Sequence, residues 1–213
     1  MYTLIGAPQT RTFRVIWCLE ELGLEQGKDY EIVPCAPRAD DIAKVNPSGK
    51  VPALVVKNDA GGDDVIIDSV AICQFLADRH AKKQGNLTFP AGTIERAKMD
   101  SFIHLAVDEF DHACWVWAKH DWIYPEGLKA ENVKPACALE FKKAMEHLEE
   151  RLGDNKFVMG DTFTIPDILL SQCAGWAERM CKFEIPEGKV ADYFKRTTRR
   201  KGFIKAMRVR AAS

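Results

Sequence analysis

Hydrophobic and polar residues alternate along the first eighty residues with two different periods. A period of two predicts four short strands, over residues 2–5, 30–33, 53–56 and 65–67. A helical period predicts helices over residues 14–24, 41–45 and 70–79. Strands joined through a helix are usually parallel, whereas the Gly-rich run at 58–63 predicts an antiparallel hairpin. The pattern therefore predicts an α/β unit with a mixed four-stranded sheet and helices on both faces.

The pattern changes after residue 80. Residues 81–93 are rich in polar and Gly/Pro breaker positions and predict a linker. Beyond the linker, apolar residues recur at helical spacing, as in the series Met99, Phe102, Ile103, Ala106, Phe110, Ala113 and Trp117. Residues 195–210 interleave basic and apolar side chains, which predicts an amphipathic helix pair with a solvated basic face. The sequence thus predicts an α/β domain over 1–80 and an all-helical domain over 94–213.

The composition is that of an ordinary globular protein. Of 213 residues, 46% are hydrophobic and 29% are charged, and the net charge is −1. A balance this close to neutral gives no field that would attract nucleic acid or an anionic membrane surface. The first residues lack the features of a signal peptide, and no run reaches the roughly 20 apolar residues that span a bilayer. We therefore expect a cytoplasmic protein with no nucleic-acid and no membrane partner.

Cysteine and histidine positions give no sign of a metal site or of a disulfide framework. The seven cysteines are scattered, and no pair has the C-x-x-C spacing. Their odd number favours reduced thiols, and none lies in the loop before the first predicted helix, so we expect none to be catalytic. His104, His112 and His120 recur every eight residues, which drifts by about 80° per step around a helix. We therefore predict no metal.

A helix start is clearly marked at Thr164. Asp167 follows three residues later, which makes a capping box with Asp in place of Glu, and Phe163 and Ile168 have the spacing of a hydrophobic staple. Pro166 falls in the first turn, where its missing N–H costs little. The motif predicts a well-capped helix, and its role is in folding.

Two short motifs of the first domain can carry chemistry. Val51-Pro52 stands directly before the third strand, where a proline can open a strand but cannot continue its hydrogen bonding. Asp68-Ser69 opens the helix over 70–79, where free N–H groups and the helix dipole favour an anion. In isolation, each motif is better explained as an ordinary strand start or helix cap.

Together, four segments resemble the cytosolic glutathione S-transferases: residues 14–24, 46–52, 68–69 and 164–167, in this order and spacing. The resemblance implies a thioredoxin-like fold for residues 1–80. It implies that the helical bundle domain over 94–213 contributes the site for an electrophile. It further implies a cis peptide bond before Pro52, glutathione as co-substrate, and a homodimer.

The resemblance also implies which residues bind glutathione. Val51 would bind the cysteinyl backbone in the manner of an added strand, and Pro52, after the cis bond, belongs to the same binding site. Ser69 would hold the γ-glutamyl carboxylate, and Asp68 would pair with the γ-glutamyl ammonium. Lys50 would contact the glycyl carboxylate, although a solvated lysine explains that residue equally well.

The group that stabilises the glutathione thiolate is less clearly marked. The family places a tyrosine, serine or cysteine before the first helix, and this chain departs from that pattern with Gln9 at the serine position. Thr10 is the adjacent hydroxyl and is our prediction for the catalytic residue, with Gln9 and Thr12 as alternatives. The N-terminus of the helix itself also lowers the pKa of a nearby thiol.

The second substrate is expected to be a small apolar electrophile. Aromatic residues cluster near the end of the first long helical series, at Trp115, Trp117, Trp122 and Tyr124. At helical spacing most aromatic residues belong to a core, but three tryptophans this close together are not easily all buried. We predict an electrophile site lined by Phe110, Cys114 and Trp117.

These residues predict an enzyme that conjugates the glutathione thiolate to an apolar electrophile. A glutathione-dependent reductase of disulfides or peroxides is one alternative. A non-catalytic binding module on the same fold is another, and the departure at Gln9 keeps it open because fold does not fix function.

Overall fold

A computed structural model describes residues 1–81, 87–130 and 132–212. Part of the predicted linker, residues 82–86, lies outside the described residues. The chain forms two compact units, one from Met1–Phe89 together with Arg199–Ser213 and the other from Pro90–Thr198. This division differs from the predicted one, which assigned all of residues 94–213 to the helical domain, because the C-terminal segment belongs to the first unit.

The first unit is built on a four-stranded mixed sheet with the strand order β2-β1-β3-β4. Its strands are β1 (Tyr2–Ile5), β2 (Tyr30–Val33), β3 (Ala53–Lys57) and β4 (Asp63–Ile67). β1 pairs in parallel with β2 and antiparallel with β3, and β3 pairs antiparallel with β4. The predicted thioredoxin-like sheet is confirmed, because a helical crossover joins the parallel pair and a tight loop joins the last two strands.

Nine α-helices are defined within the described residues. They are α1 (Thr12–Glu21), α2 (Asp40–Val45), α3 (Ser69–Arg79), α4 (Ile94–His104), α5 (His112–Ala118), α6 (Val133–Leu152), α7 (Ile165–Trp176), α8 (Lys189–Thr198) and α9 (Lys201–Ala212). The second unit contains α4 to α8, which confirms its predicted helical character. None of these described helices is long and apolar enough to cross a membrane.

The helical series that the sequence predicts through residues 99–117 is not a single regular helix. Leu105–Asp111 and Lys119–Ile123 are π-helical, and they flank α5 on either side. Each π-helical turn takes in an extra residue and so rotates the side chains that follow relative to a regular helix. The apolar period of the sequence alone therefore does not say which of these side chains reach the surface.

α9 packs against α1 and holds it from one side. The ring of Phe203 lies 4.8 Å from the ring of Trp17 and 5.8 Å from that of Phe13, with both pairs edge to face. The Arg200 guanidinium donates two hydrogen bonds to the Glu21 carboxylate, at 2.9 and 2.7 Å, and the indole N–H of Trp17 donates to the same carboxylate at 3.1 Å. This bidentate contact joins the basic C-terminal segment to the end of α1.

A buried carboxylate organises the start of α7. Asp167 accepts hydrogen bonds from the N–H and hydroxyl of Thr164, from the Val158 N–H and from the Tyr193 hydroxyl, at 2.7 to 3.1 Å. The predicted capping box is therefore present, and Tyr193 on α8 and Val158 add donors that the sequence did not indicate. Burial raises the pKa of Asp167 to about 6 despite these donors.

We predict that Tyr193→Phe raises the pKa of Asp167 further, because it removes a donor that favours the ionised form. Protonation of Asp167 favours folding, since its pKa is higher in the folded chain than its ordinary value of 3.8. This contribution is complete below about pH 4 and is lost as the pH rises through about 6. At pH 7 the free energy of unfolding of Tyr193→Phe should be about 1.5–3 kcal/mol lower than that of the wild type.

Carbon-13 NMR of the aspartate carboxyl groups measures the Asp167 midpoint directly. Tyr30→Phe is the matched control, because the Tyr30 hydroxyl donates to Glu20 in the other unit and should leave the Asp167 midpoint unchanged. A wild-type midpoint below 4, or an equal shift in both variants, would contradict this account of the buried carboxylate.

Candidate functional site

The loop before β3 carries a cis peptide bond between Val51 and Pro52. Pro52 is buried and Val51 is half-buried, directly before the first residue of the strand. Ala53 opens β3 opposite Ile5, the last residue of β1. The Val51 backbone therefore lies at the end of the two inner strands, where β1 ends and the chain turns toward α1.

A glycine lets three segments approach one another at this end of the sheet. Gly6 follows β1 with a φ of +148°, and a Cβ atom at this position would lie 2.3 Å from Thr12 Oγ1 and 3.1 Å from Val51 Cβ. The first distance is far too short for any side chain, so only glycine fits here. The end of β1, the first residue of α1 and the cis-proline loop thus meet around Gly6.

The hydroxyl groups at the start of α1 form a closed chain of hydrogen bonds. The Thr10 hydroxyl donates to the Ala7 carbonyl at 2.7 Å, and the two threonine oxygens of Thr10 and Thr12 are 3.0 Å apart. A hydroxyl has a single proton, so Thr12 is the donor in the second contact. The Thr12 N–H also points to Thr10 Oγ1, at 3.2 Å. In this arrangement both hydroxyl protons are used within the protein.

The predicted thiolate donors therefore differ in access. Thr10 is partly exposed, Thr12 is fully buried, and Gln9 is exposed at the surface. Of the two threonines, only Thr10 has exposed surface. It can donate to a ligand only by turning its proton away from Ala7.

The start of α3 brings the second predicted motif together. Asp68 has a φ of +74° and its carboxylate accepts hydrogen bonds from the N–H groups of Val70 and Ala71, at 2.8 and 3.3 Å. Asp68 is thus an ordinary helix cap, as the motif predicts when it is taken in isolation. Both bonds end on Oδ1, and the side chain is exposed to solvent.

Ser69 has a partner that the sequence did not suggest. Its side chain is 3% exposed, and its Oγ accepts a hydrogen bond from Nη1 of Arg14 at 3.3 Å. Arg14 lies on α1 and is only 2% exposed, which is unusual for an arginine. A polar position on an otherwise apolar helix face was the only signal for this contact in the sequence.

Lys50 lies beside the cis-proline loop with an exposed side chain. Its backbone carbonyl accepts a hydrogen bond from Asn46 Nδ2 at 2.7 Å, and the buried Asn46 side chain also accepts from the N–H of Ser48 at 3.1 Å. Asn46 therefore fixes the loop that leads into Val51.

The predicted electrophile residues are separated by burial. Phe110 and Cys114 are fully buried in the second unit, whereas Trp117 is half-buried. We expected all three to line a site, and this expectation is corrected for Phe110 and Cys114, because neither side chain has exposed surface. Phe110 lies within the first π-helical segment and Cys114 follows it on α5, and such a segment shifts the side-chain directions away from those of a regular helix.

A series of ring contacts connects the buried core of this unit to its surface. Phe110 contacts Phe141, Phe141 contacts Phe183, and Phe183 contacts Trp117, with ring centroids 5.2, 5.3 and 6.3 Å apart. Trp117 in turn lies 5.6 Å from Trp122, which is 48% exposed. The exposed end of the series is therefore a pair of tryptophans.

All seven cysteines are free and buried. A hydrogen bond with Cys73, together with burial, raises the pKa of the Cys18 thiol, and a hydrogen bond with Cys181, together with burial, does the same for Cys114. Such thiols stay protonated and unreactive at neutral pH. Within the described ranges, no group of three or more His, Cys, Asp or Glu residues is arranged to hold a metal ion.

Two family models match the two parts of the chain. Residues 11–79 match the N-terminal domain of glutathione S-transferase, and residues 131–196 match its C-terminal domain. This protein is a member of the glutathione S-transferase family. The two matched segments include Arg14, Val51 and Ser69 in the first unit and the Asp167 network in the second.

Known glutathione S-transferases from bacteria and plants are similar to the chain. It is 28% identical over 159 residues to glutathione S-transferase GstA of Escherichia coli O157:H7, covering 72% of this chain and 73% of that protein. It is 30% identical over 164 residues to glutathione S-transferase F13 of Arabidopsis thaliana, covering 73% of this chain and 70% of that protein.

Solved structures of the family share the fold over nearly the whole chain. Glutathione transferase URE2P6 from Phanerochaete chrysosporium, solved in complex with oxidised glutathione, superposes with a TM-score of 0.82. The superposition covers 99% of this chain and 96% of that one, at 22% sequence identity. At this identity the likeness establishes the fold alone.

Proposed function

We propose that this protein is a glutathione transferase that conjugates the glutathione thiolate to an apolar electrophile. One observation carries the proposal: the cis Val51-Pro52 bond, the N-terminus of α1 and the Ser69–Arg14 pair all belong to one compact unit, with the first two in contact at Gly6. Family membership and the fungal relative bound to oxidised glutathione support glutathione as the ligand.

Glutathione would lie extended across the end of the sheet at which β1 ends and β3 begins. Its cysteinyl backbone would pair with the backbone of Val51 in the manner of an added strand. Its γ-glutamyl carboxylate would accept from the hydroxyl of Ser69, and its ammonium would pair with the second carboxylate oxygen of Asp68, because Oδ1 already caps α3. The exposed ammonium of Lys50 would contact the glycyl carboxylate.

The reaction needs a thiolate beside the start of α1. The thiol proton leaves to solvent, and the sulfur then uses an electron pair to form a carbon–sulfur bond. From an aryl halide, the halide departs with the electron pair of its own bond. For an enone, the carbon next to the carbonyl takes a proton instead. The Thr10 hydroxyl would donate to the sulfur, and the positive end of α1 would add to its effect.

The electrophile would rest against the exposed tryptophans of the second unit. Trp117 and Trp122 form an edge-to-face pair, and Trp122 has exposed apolar surface. Aromatic surface of this kind suits a flat apolar molecule. Phe110 and Cys114 would support this surface from the core and would not contact the electrophile.

One observation favours a non-catalytic binding module as a second candidate. The Thr10 hydroxyl donates to Ala7, and Thr12 donates to Thr10, so the start of α1 satisfies its own hydroxyl groups. A protein with this arrangement can bind glutathione without activating its thiol. A glutathione-dependent reductase would use the same binding site with a disulfide or a peroxide as the second substrate.

A homodimer in the cytoplasm is part of the proposal. Val65 and Ile67 on the edge strand β4 are 39% and 45% exposed, and an edge strand with exposed apolar side chains favours pairing or coverage by another surface. A second copy of this chain is the partner we propose for that edge.

Turnover with glutathione tests the proposed function. We expect the protein to accelerate conjugation of aryl halides or enones above the rate in buffer, measured by absorbance of the product. Turnover of disulfides or peroxides alone would instead establish a reductase. Glutathione binding with no turnover of any of these compounds would establish the binding module and contradict the proposed enzyme.

Glutathione binding should depend on both residues that open α3. Ser69→Ala removes a hydrogen bond to a charged group and should weaken binding by about 1–3 kcal/mol. Asp68→Asn keeps an oxygen for the helix cap but removes the charge that would pair with the ammonium, so binding should weaken while the melting temperature changes little. Unchanged calorimetric affinity in both variants would overturn the site assignment.

The identity of the thiolate donor can be tested by the pKa of bound glutathione. We expect Thr10→Val to raise this pKa with little change in glutathione affinity. The pKa is measured from the ultraviolet absorbance of the thiolate as a function of pH. Thr10→Ser is the control, since it keeps the hydroxyl and should keep the pKa. A rise in Thr12→Val or a Gln9 variant, with none in Thr10→Val, would show that Thr10 is not the donor.

A further inference from the structure

A buried arginine lies behind the residue proposed to hold the ligand's carboxylate. Arg14 is 2% exposed and lies on α1 among apolar neighbours such as Val15 and Ile16, which are fully buried. Its Nη1 donates to Ser69 Oγ at 3.3 Å. Burying a guanidinium is costly unless hydrogen bonds and opposite charge compensate, and the hydroxyl oxygen of Ser69 supplies one such contact.

The chemistry of this contact determines what the Ser69 hydroxyl can do. A guanidinium has five N–H donors and no acceptor, so Ser69 Oγ can only accept from Arg14. The hydroxyl keeps its single proton, and that proton must point to another acceptor. Ser69 Oγ accepts from Arg14, and its own proton is left to donate to a ligand, which is what recognition of an anion needs.

We infer that Arg14 is a positioning residue that acts through Ser69 and selects ligands with a carboxylate at the N-terminus of α3. The inference rests on the proposed function, since that ligand group is the γ-glutamyl carboxylate of glutathione.

A positioning role for Arg14 implies a chemical selectivity. If Arg14 acts through Ser69 on a carboxylate, its loss must weaken only ligands that carry this group. If Arg14 merely supports the packing of α1 on α3, its loss must weaken every ligand of the site alike. Glutathione and 4-aminobutyryl-cysteinyl-glycine, which lacks only that carboxylate, separate these cases.

Calorimetric titration of both ligands into four proteins makes the test: wild type, Arg14→Met, Ser69→Ala and the double variant. We expect Arg14→Met to weaken glutathione binding by about tenfold or more, the scale of a lost hydrogen bond to a charged group. Its affinity for the analogue should equal that of the wild type. In the double variant the loss should match that of Ser69→Ala alone, since the two residues act as one unit.

Arg96→Met is the matched control. Arg96 is a partly buried arginine of α4, and its Nε donates to Asp100 at 3.1 Å. Its substitution should leave the affinity for both ligands unchanged. If Arg14→Met does not fold, Arg14→Lys replaces it in the test, because lysine keeps the positive charge within α1. The lysine variant should bind glutathione more weakly than the wild type, because an ammonium lacks the planar fork of a guanidinium.

Three outcomes would overturn the inference. One is an equal loss of affinity for both ligands in Arg14→Met. Another is losses that multiply in the double variant. The third is a folded Arg14→Lys protein with wild-type affinity for glutathione. Wild-type protein that binds neither ligand would overturn the proposed function as well, which distinguishes the two failures.

Discussion

The candidate site depends on the close approach of three segments at Gly6. No side chain fits there, because a Cβ atom would lie 2.3 Å from Thr12 Oγ1. Without a side chain, β1 can end directly beneath the start of α1 and beside Val51 of the cis-proline loop. This approach places a helix N-terminus and the half-buried Val51 at the same end of the sheet, which is the arrangement that the proposed binding of an extended, thiol-bearing peptide would use.

The two charged side chains at the start of α3 differ in their exposure to solvent. Asp68 is exposed and spends one oxygen on the helix cap, whereas Arg14 is buried and donates to Ser69. An exposed carboxylate and a buried guanidinium would give the two charged groups of the proposed γ-glutamyl ligand different environments. The buried side is the more costly to build, and packing of α9 against α1 helps to hold the helix that carries Arg14.

Local patterns predicted the fold well and the contacts of the site less well. The strand at residues 30–33 was predicted with its observed bounds, because a period of two in a half-buried strand is visible in sequence. The partnership of Arg14 with Ser69 joins residues 55 positions apart, and no local pattern encodes it. Phe110 and Cys114 were expected at a surface, but π-helical turns alter the period that would have placed them. The return of α9 to the first unit follows from tertiary packing around Phe203.

Amide chemical-shift mapping of isotope-labelled wild-type protein with glutathione tests the central claim most directly. We predict that the largest saturable shifts fall on the backbone amides of Val51, Ser69 and the first turn of α1, with the Arg14 side-chain resonances shifting in parallel. Saturable shifts confined to other parts of the chain, or no shifts at millimolar glutathione, would contradict it.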